Sequence, residues 1–230
     1  MVNISPRRVL IIHSHLLVAF TGLQGDVESV AEELSIQAGK RANRGSSFGF
    51  GFGSDHSIDE NNRIHSKENT IKYRAFVSNV GQSKTHWNYH KISPRAMAQL
   101  TSHVLYSRRA SPYYCEPILV GLEPVPDDAN TYKNNNQCHY RPFLCAQDLI
   151  GAQSNDVKDY VCAGVAEKSM YGIAEAMWRP NMDPETLANV CGRAFLSALE
   201  RDCLSGYGAI IYLLTEDGGI TQYDLDTRND

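Results

Sequence analysis

Apolar and polar positions along this chain follow two periods in turn. Val9-Leu10-Ile11-Ile12 and Leu16-Leu17-Val18-Ala19-Phe20 are short apolar runs separated by His13-Ser14, which reads as a β-hairpin ended by Thr21-Gly22. From Asp26, a predicted N-cap, Val27, Val30, Ala31 and Leu34 recur at helical spacing, with Glu28, Glu32 and Glu33 on the other face. Ser93-Pro94 is a cap-then-proline start, and Met97, Leu100, Val104 and Leu105 give its helix a buried stripe running to about Arg109. Pro112 closes that helix. Ile118 to Leu122 and Phe143 to Ala146 read as strands, and a short strand is expected at Tyr160 to Ala163, ahead of Gly164. Met170, Ile173, Ala174 and Met177 mark a third helix. Asp183-Pro184 starts a fourth, with Leu187, Val190, Cys191, Ala194, Phe195 and Ala198 as one face. Ala209 to Leu214 and Ile220 to Tyr223 flank Glu216-Asp217-Gly218-Gly219, a hairpin signal.

Two stretches break these periods. Residues from about 39 to 70 are rich in Gly, Ser, Asn and charge, and residues 124–137 form an overlong polar hairpin loop. Neither has the apolar content to offset its ordering entropy. Deleting 39–70 is expected to leave folding intact, because closure entropy changes slowly with loop length. The Phe48-Gly49-Phe50-Gly51-Phe52-Gly53 alternation lacks the GxGxxG spacing and a leading strand, so it is not read as a nucleotide site. Tyr73 to Val77 fits neither period.

The order is hairpin, two helices, strands, two helices, hairpin. Hairpin-joined strands are antiparallel, yet Val9–Ile12, Leu16–Phe20 and Ala209–Leu214 are apolar on both faces. Two stacked sheets with helices outside satisfy this, so the expected fold is α+β, a four-layer αββα sandwich.

Composition narrows the chemistry. The 230 residues carry 22 Lys and Arg against 26 Asp and Glu, for a net charge of -4, which argues against a bulk nucleic-acid binder. No apolar run suits a membrane span or signal peptide, so a soluble, intracellular protein is expected. The six cysteines form no CxxC pair. Cys162 and Cys203 have no histidine within a few residues and read as ordinary thiols. His86 and His90 lack a third ligand, Cys138-His139 are adjacent rather than spaced for chelation, and Lys40-Arg41 with Arg44 reads as a solvated basic patch.

Further features combine in a distinctive order: Gly22-Leu23 with Gly25-Asp26-Val27, Leu105-Tyr106 with Arg109, Pro112-Tyr113-Tyr114 with Glu116-Pro117, and Asp148-Leu149-Ile150-Gly151. They continue with Met170-Tyr171-Gly172, Trp178, Pro180-Asn181-Met182-Asp183-Pro184, Arg201-Asp202 with Ser205-Gly206, and Arg228 with Asp230. Together these resemble the proteasome beta subunits, and the beta type-3 branch among them. The resemblance implies the αββα sandwich of the N-terminal-nucleophile hydrolases, as one domain over 1–230 lacking its first strands.

In active relatives an N-terminal threonine attacks the peptide carbonyl with its own amino group as base, helped by an aspartate and a lysine. All three would precede Arg7-Arg8-Val9. Thr21, the first threonine here, follows a strand. Asp202 and Ser205 match the pair that flanks the nucleophile, and Ala163 stands where active subunits have a serine. Without the nucleophile, Asp202, Ser205 and Gly206 are expected to be structural. The resemblance further implies a non-catalytic subunit with no cofactor and no metal, in the cytoplasm and nucleus. Its partners would be alpha and beta subunits in stacked seven-membered rings, with neither nucleic acid nor membrane. The alternative is an active threonine peptidase whose nucleophile lies in a missing N-terminal segment. A third reading is a free-standing binding protein using the Gly/Phe insertion.

Overall fold

Two antiparallel sheets carry the chain. The computed structural model describes residues 8–43, 73–76, 92–124, 140–154, 157, 159–203, 208–216 and 219–225. They fall into two compact units, one within Met1–Lys40 and Lys91–Gly164, the other within Arg41–His90 and Val165–Asp230.

In the first unit the expected hairpin forms from β1 (Val9–His13) and β2 (Leu16–Gly22), turning at Ser14-His15. β4 (Cys115–Pro124) pairs with β2, β5 (Tyr140–Gln147) with β4, and the two-residue β6 (Gln153–Ser154) with β5, all antiparallel. Both β4 and β5 run longer than the apolar cores that announced them. The strand order is β1-β2-β4-β5-β6. The strand expected at Tyr160 to Ala163 is not formed. β5's outer edge is instead taken by β6, which the Asp148 turn folds directly back onto it.

One face of this sheet is covered by α1 (Gln24–Asn43) and α2 (Pro94–Ser107). Leu16, Val18, Phe20, Leu119 and Cys145 from the strands meet Val27, Val30, Leu34, Met97, Leu100 and Leu105 from the helices. The Ser93 hydroxyl accepts the Ala96 N–H at 3.2 Å, and Pro94 fills the first turn, as its sequence predicts. Buried Thr101 donates to the Met97 carbonyl, and buried Gln147 to that of Ala98, tying β5 to α2. α2 ends at Ser107 rather than Arg109, in a turn closed by Arg108 N–H to the Leu105 carbonyl. α1 continues to Asn43, into the stretch predicted to be a loop.

The opposite sheet face is apolar too. Ala19, Ile118 and Ala146 form one cross-strand row, and Leu17, Val120 and Leu144 the next. This is the double-sided character the sequence carried.

In the second unit β7 (Ala209–Thr215) and β8 (Gly219–Leu225) make the expected hairpin. β3 (Tyr73–Phe76), from the segment that fitted neither period, pairs with β8 to give the order β3-β8-β7. α4 (Pro184–Leu199) packs on this sheet, and α3 (Glu167–Met177) on α4. The face predicted for α4 is borne out at Ala194 and Ala198, which are buried, and at Phe195, which packs on the sheet core; it is corrected at Leu187 and Cys191, which are exposed, while Ala188 and Gly192 are buried instead. Gly192 explains the rotation. A Cβ there would lie 3.1 Å from Ile211 Cδ1, so the small residue faces the sheet and sets the approach of Ile211 and Leu225. On the other sheet face lie Ile210, Tyr212 and Leu214, opposite Asp224, Gln222 and Ile220. Burial and then the Asp224 charge push the Tyr212 hydroxyl above its ordinary pKa. Among the described residues no helix is long and apolar enough to cross a membrane.

Candidate functional site

The residues proposed for chemistry divide between the two units. Thr21, in β2, donates a long hydrogen bond of 3.4 Å to the Glu116 carbonyl. It is peptide-bonded within a strand, so no α-amino group of its own is available as a base. Gly164, with φ +104°, lies against it: an added Cβ would be 3.5 Å from the Thr21 methyl. The fold thus brings the segment containing half-buried Cys162 and Ala163 towards Thr21. Asp202 follows α4 in the second unit, half-buried, with its N–H donating to the Leu199 carbonyl at 3.0 Å. Ser205 and Gly206 lie outside the described residues, as do the Gly/Phe alternation, His86, His90 and Cys138-His139. Among the described residues no group of three or more His, Cys, Asp and Glu is arranged to hold a metal.

Two thiols of the first unit, Cys115 and Cys145, are suppressed rather than activated. Burial, then the charges of Asp26 and Glu116, push Cys115 up to about 12. Burial also raises Cys145. A thiolate is the reactive form, so neither suits a nucleophile at neutral pH.

The motif residues perform a different task. Gly22 has φ +110°, and a Cβ there would stand 2.2 Å from the Tyr114 carbonyl oxygen, so only glycine lets β2 pass β4 at this point. That carbonyl accepts the Leu23 N–H at 2.8 Å, while the Tyr114 N–H donates to the Asp26 carboxylate at 2.8 Å. Asp26 is therefore not the N-cap. The helix starts at Gln24, and the Asp26 side chain is engaged across the fold, with its charge still favourable in the first turn.

Asp148 closes a turn of its own. Its carboxylate accepts the N–H groups of Ile150 at 3.0 Å and Ala152 at 2.7 Å. Gly151, at φ +82°, sits so close to Ser102 of α2 that a Cβ would be 2.6 Å from the Ser102 carbonyl oxygen. The Ser102 hydroxyl in turn donates to the Gly151 carbonyl. In the second unit Asn181 takes the left-handed conformation at φ 60°, and Asp183 caps α4 by accepting the Thr186 N–H at 3.0 Å. Hydrogen bonding from Thr186 holds the Asp183 carboxyl below its ordinary range.

What remains chemically available is surface. Tyr114 and Tyr106 are 65% and 55% exposed. Tyr113 and Tyr114 stood out in the sequence as motif residues beside Pro112. So did Tyr106 and Arg109, three apart at the end of a predicted helix, a spacing that places such a pair together, whereas Arg108 did not.

These backbone devices fall on the motifs that carried the resemblance, and sequence comparison supplies the relatives. Residues 135–214 match the family model described as "Proteasome subunit". Among the curated relatives, a proteasome subunit beta type-3 of Picea mariana is 40% identical over 124 residues, covering 54% of this chain and 53% of that protein. That of Trypanosoma brucei brucei is 39% identical over 131 residues, 57% of each. That of Saccharomyces cerevisiae is 34% identical over 139 residues, 60% of each.

The chain resembles proteasome beta type-3 subunits. It spans little more than half the length of the relatives it matches. Its helices and antiparallel sheets fit the mixed α+β architecture expected of a proteasome beta-type chain.

Proposed function

We propose that this chain is a non-catalytic beta-ring subunit of a 20S proteasome core particle. It would contribute to ubiquitin-dependent protein degradation through assembly, beside alpha and beta subunits, in the cytoplasm and nucleus. The observation that carries the reading is the use of the type-3-like motifs: Gly22, Asp26, Asp148, Gly151 and Asp183 each fix backbone geometry. A chain whose family-like residues hold turns and helix ends is suited to presenting surfaces. Thr21, held inside β2, adds support for the non-catalytic part.

The two apolar sheet faces support a single domain in the four-layer αββα arrangement. Ala19, Ile118, Leu17 and Val120 on one sheet, and Ile210, Tyr212 and Leu214 on the other, are the inner faces such a stack needs. Asp202, Ser205 and Gly206 are assigned a structural role.

An affinity-tagged chain expressed in cells and fractionated by native size tests assembly. Co-migration with a particle containing alpha and beta subunits is expected, and a free monomer overturns the proposal. A threonine-directed covalent peptidase inhibitor tests the silent role. The expected outcome is labelling of other subunits and not this one, whereas label on this chain favours an active peptidase.

A further inference from the structure

The five-stranded sheet of the first unit ends differently on its two sides. At one edge lies β6, the two polar residues Gln153-Ser154. Shortness and polarity are among the devices that keep a sheet edge from recruiting another chain. At the other edge lies β1. Its Val9 to Ile12 stretch holds no proline and no charge, and among the described residues β1 pairs with β2 alone.

The register shows which backbone groups that edge offers. Phe20 donates its N–H to the Arg8 carbonyl at 2.8 Å, so Arg8 and Phe20 are a hydrogen-bonded pair. Bonded and non-bonded pairs alternate along an antiparallel ladder. Leu10 with Val18 is therefore the next bonded pair, while Val9 with Ala19 and Ile11 with Leu17 are non-bonded. The far side of β2 agrees: Leu122 donates to the His15 carbonyl at 2.9 Å, a phase that turns the backbone groups of Leu17 and Ala19 towards β4 and away from β1. The N–H and carbonyl groups of Val9 and Ile11 thus point out of the sheet edge. Their side chains extend the apolar rows that run through Ala19 and Leu17, and Ile11 is 36% exposed. Leu10 and Ile12 pack against the helix-covered core on the other face.

A strand added here must be apolar on both faces, free along one edge and without proline. β1 meets that specification for itself. A second copy laid antiparallel about a two-fold axis at Leu10 sets Val9 opposite Ile11 of the copy, and Ile11 opposite the copy's Val9, each pair exchanging N–H and carbonyl bonds. The two Arg8 charges then sit at opposite ends of the contact. We propose that two copies of this chain pair through β1, joining their sheets into one continuous sheet. The inference goes beyond the proposed function because it concerns the isolated chain, so its failure and a failure to enter a particle are distinguishable.

Sedimentation velocity and amide hydrogen exchange on the purified full-length chain, from about 1 to about 100 µM, test it. A dimer is expected to form over that range. Exchange at Val9 and Ile11 should slow at least about tenfold, while Val120, inside the sheet, changes less than about twofold. The amide readout also separates β1 from the free edge of β7. Ile11→Pro removes an outward N–H without touching a bond to β2, and Ile11→Lys keeps the backbone while placing a charge on the edge. Both are expected to stay monomeric, the lysine variant with the native melting profile at low concentration. The exchange measurement on the native chain stands whichever variant folds. A native chain that is monomeric at about 100 µM, a dimer whose Val9 and Ile11 amides exchange as in the monomer, or a dimer that survives Ile11→Lys overturns the proposal. Protection of these amides only inside a larger particle assigns the edge to another polypeptide and overturns it as well.

Discussion

In the first unit α1 and α2 bring Val27, Val30, Leu34, Met97, Leu100 and Leu105 to complete or nearly complete burial against one sheet face. In the second, α3 has no buried residue, and α4 buries Ala188, Gly192, Ala194 and Ala198. Burying a leucine-sized side chain contributes about 1.5–3 kcal/mol, and alanine or glycine far less, so the two cores differ in strength per helix. The second unit leaves Val165 at 72%, Ile210 at 45% and Leu187 at 39% exposure. The first unit is thus stapled by its own helices. Exposed apolar side chains do not separate the units, since the first leaves Leu23 at 60% and Ile36 at 45% exposure; the difference lies in what their helices bury.

That contrast is most exposed to refutation at Gly22. Gly22→Ala must accept both φ +110° and a Cβ 2.2 Å from the Tyr114 oxygen, and is expected to cost about 4 kcal/mol or more in urea unfolding. Gly25→Ala, three residues on in α1 with nothing within 4 Å of its Cβ, is expected to stabilise by about 0.5–1 kcal/mol. A tolerated Gly22→Ala would mean that β2 and β4 are not locked as described.

Next in size is a matched pair of truncations. Leu105→Ala, at 0% exposure, is expected to cost about 3 kcal/mol, whereas Leu187→Ala, at 39%, should stay within about 0.5 kcal/mol in the isolated chain. Equal effects would erase the difference between the units.

The smallest effect is expected at the Asp183 cap, read as melting temperature against pH. Its folded carboxyl lies below the ordinary value of 3.8, so the unfolded chain takes up the proton first. The cap's stabilisation is therefore complete above that ordinary value and is lost as pH falls through the lowered folded one. Asp183→Ala should remove this acid-side dependence, and an unchanged profile would show that the cap contributes nothing.

How much of this was legible beforehand differs by element. Ser93-Pro94 and Asp183-Pro184 announced α2 and α4 correctly, because capping chemistry is local to a few residues. Asp26 misled for a related reason: a carboxylate before an apolar stripe looks like a cap, and only β4, passing close by, offers it the Tyr114 N–H instead. The Tyr160 to Ala163 strand failed because pairing depends on which edge is free, and β6 had already taken it. Leu187 and Cys191 were assigned to a buried face because periodicity weighs apolarity, whereas the sheet selects the helix side that comes closest, the Gly192 side. Of the residues weighed for chemistry, Asp202 and Thr21 could be named from sequence, but the hydrogen bonds that occupy them could not.

The sequence by itself determined the two hairpins, the starts of α2 and α4 and the apolar character of both faces of the strands, since each follows from the order of neighbouring side chains. Tertiary structure alone decided that Gly22 and Gly151 must be glycine, that Asp26 serves Tyr114, and that the turn after α2 lays Arg108 over the Tyr113 ring. The physical reason is distance. Steric contact, hydrogen bonding and cation–π attraction act over a few ångströms, and only folding brings groups many residues apart within that range.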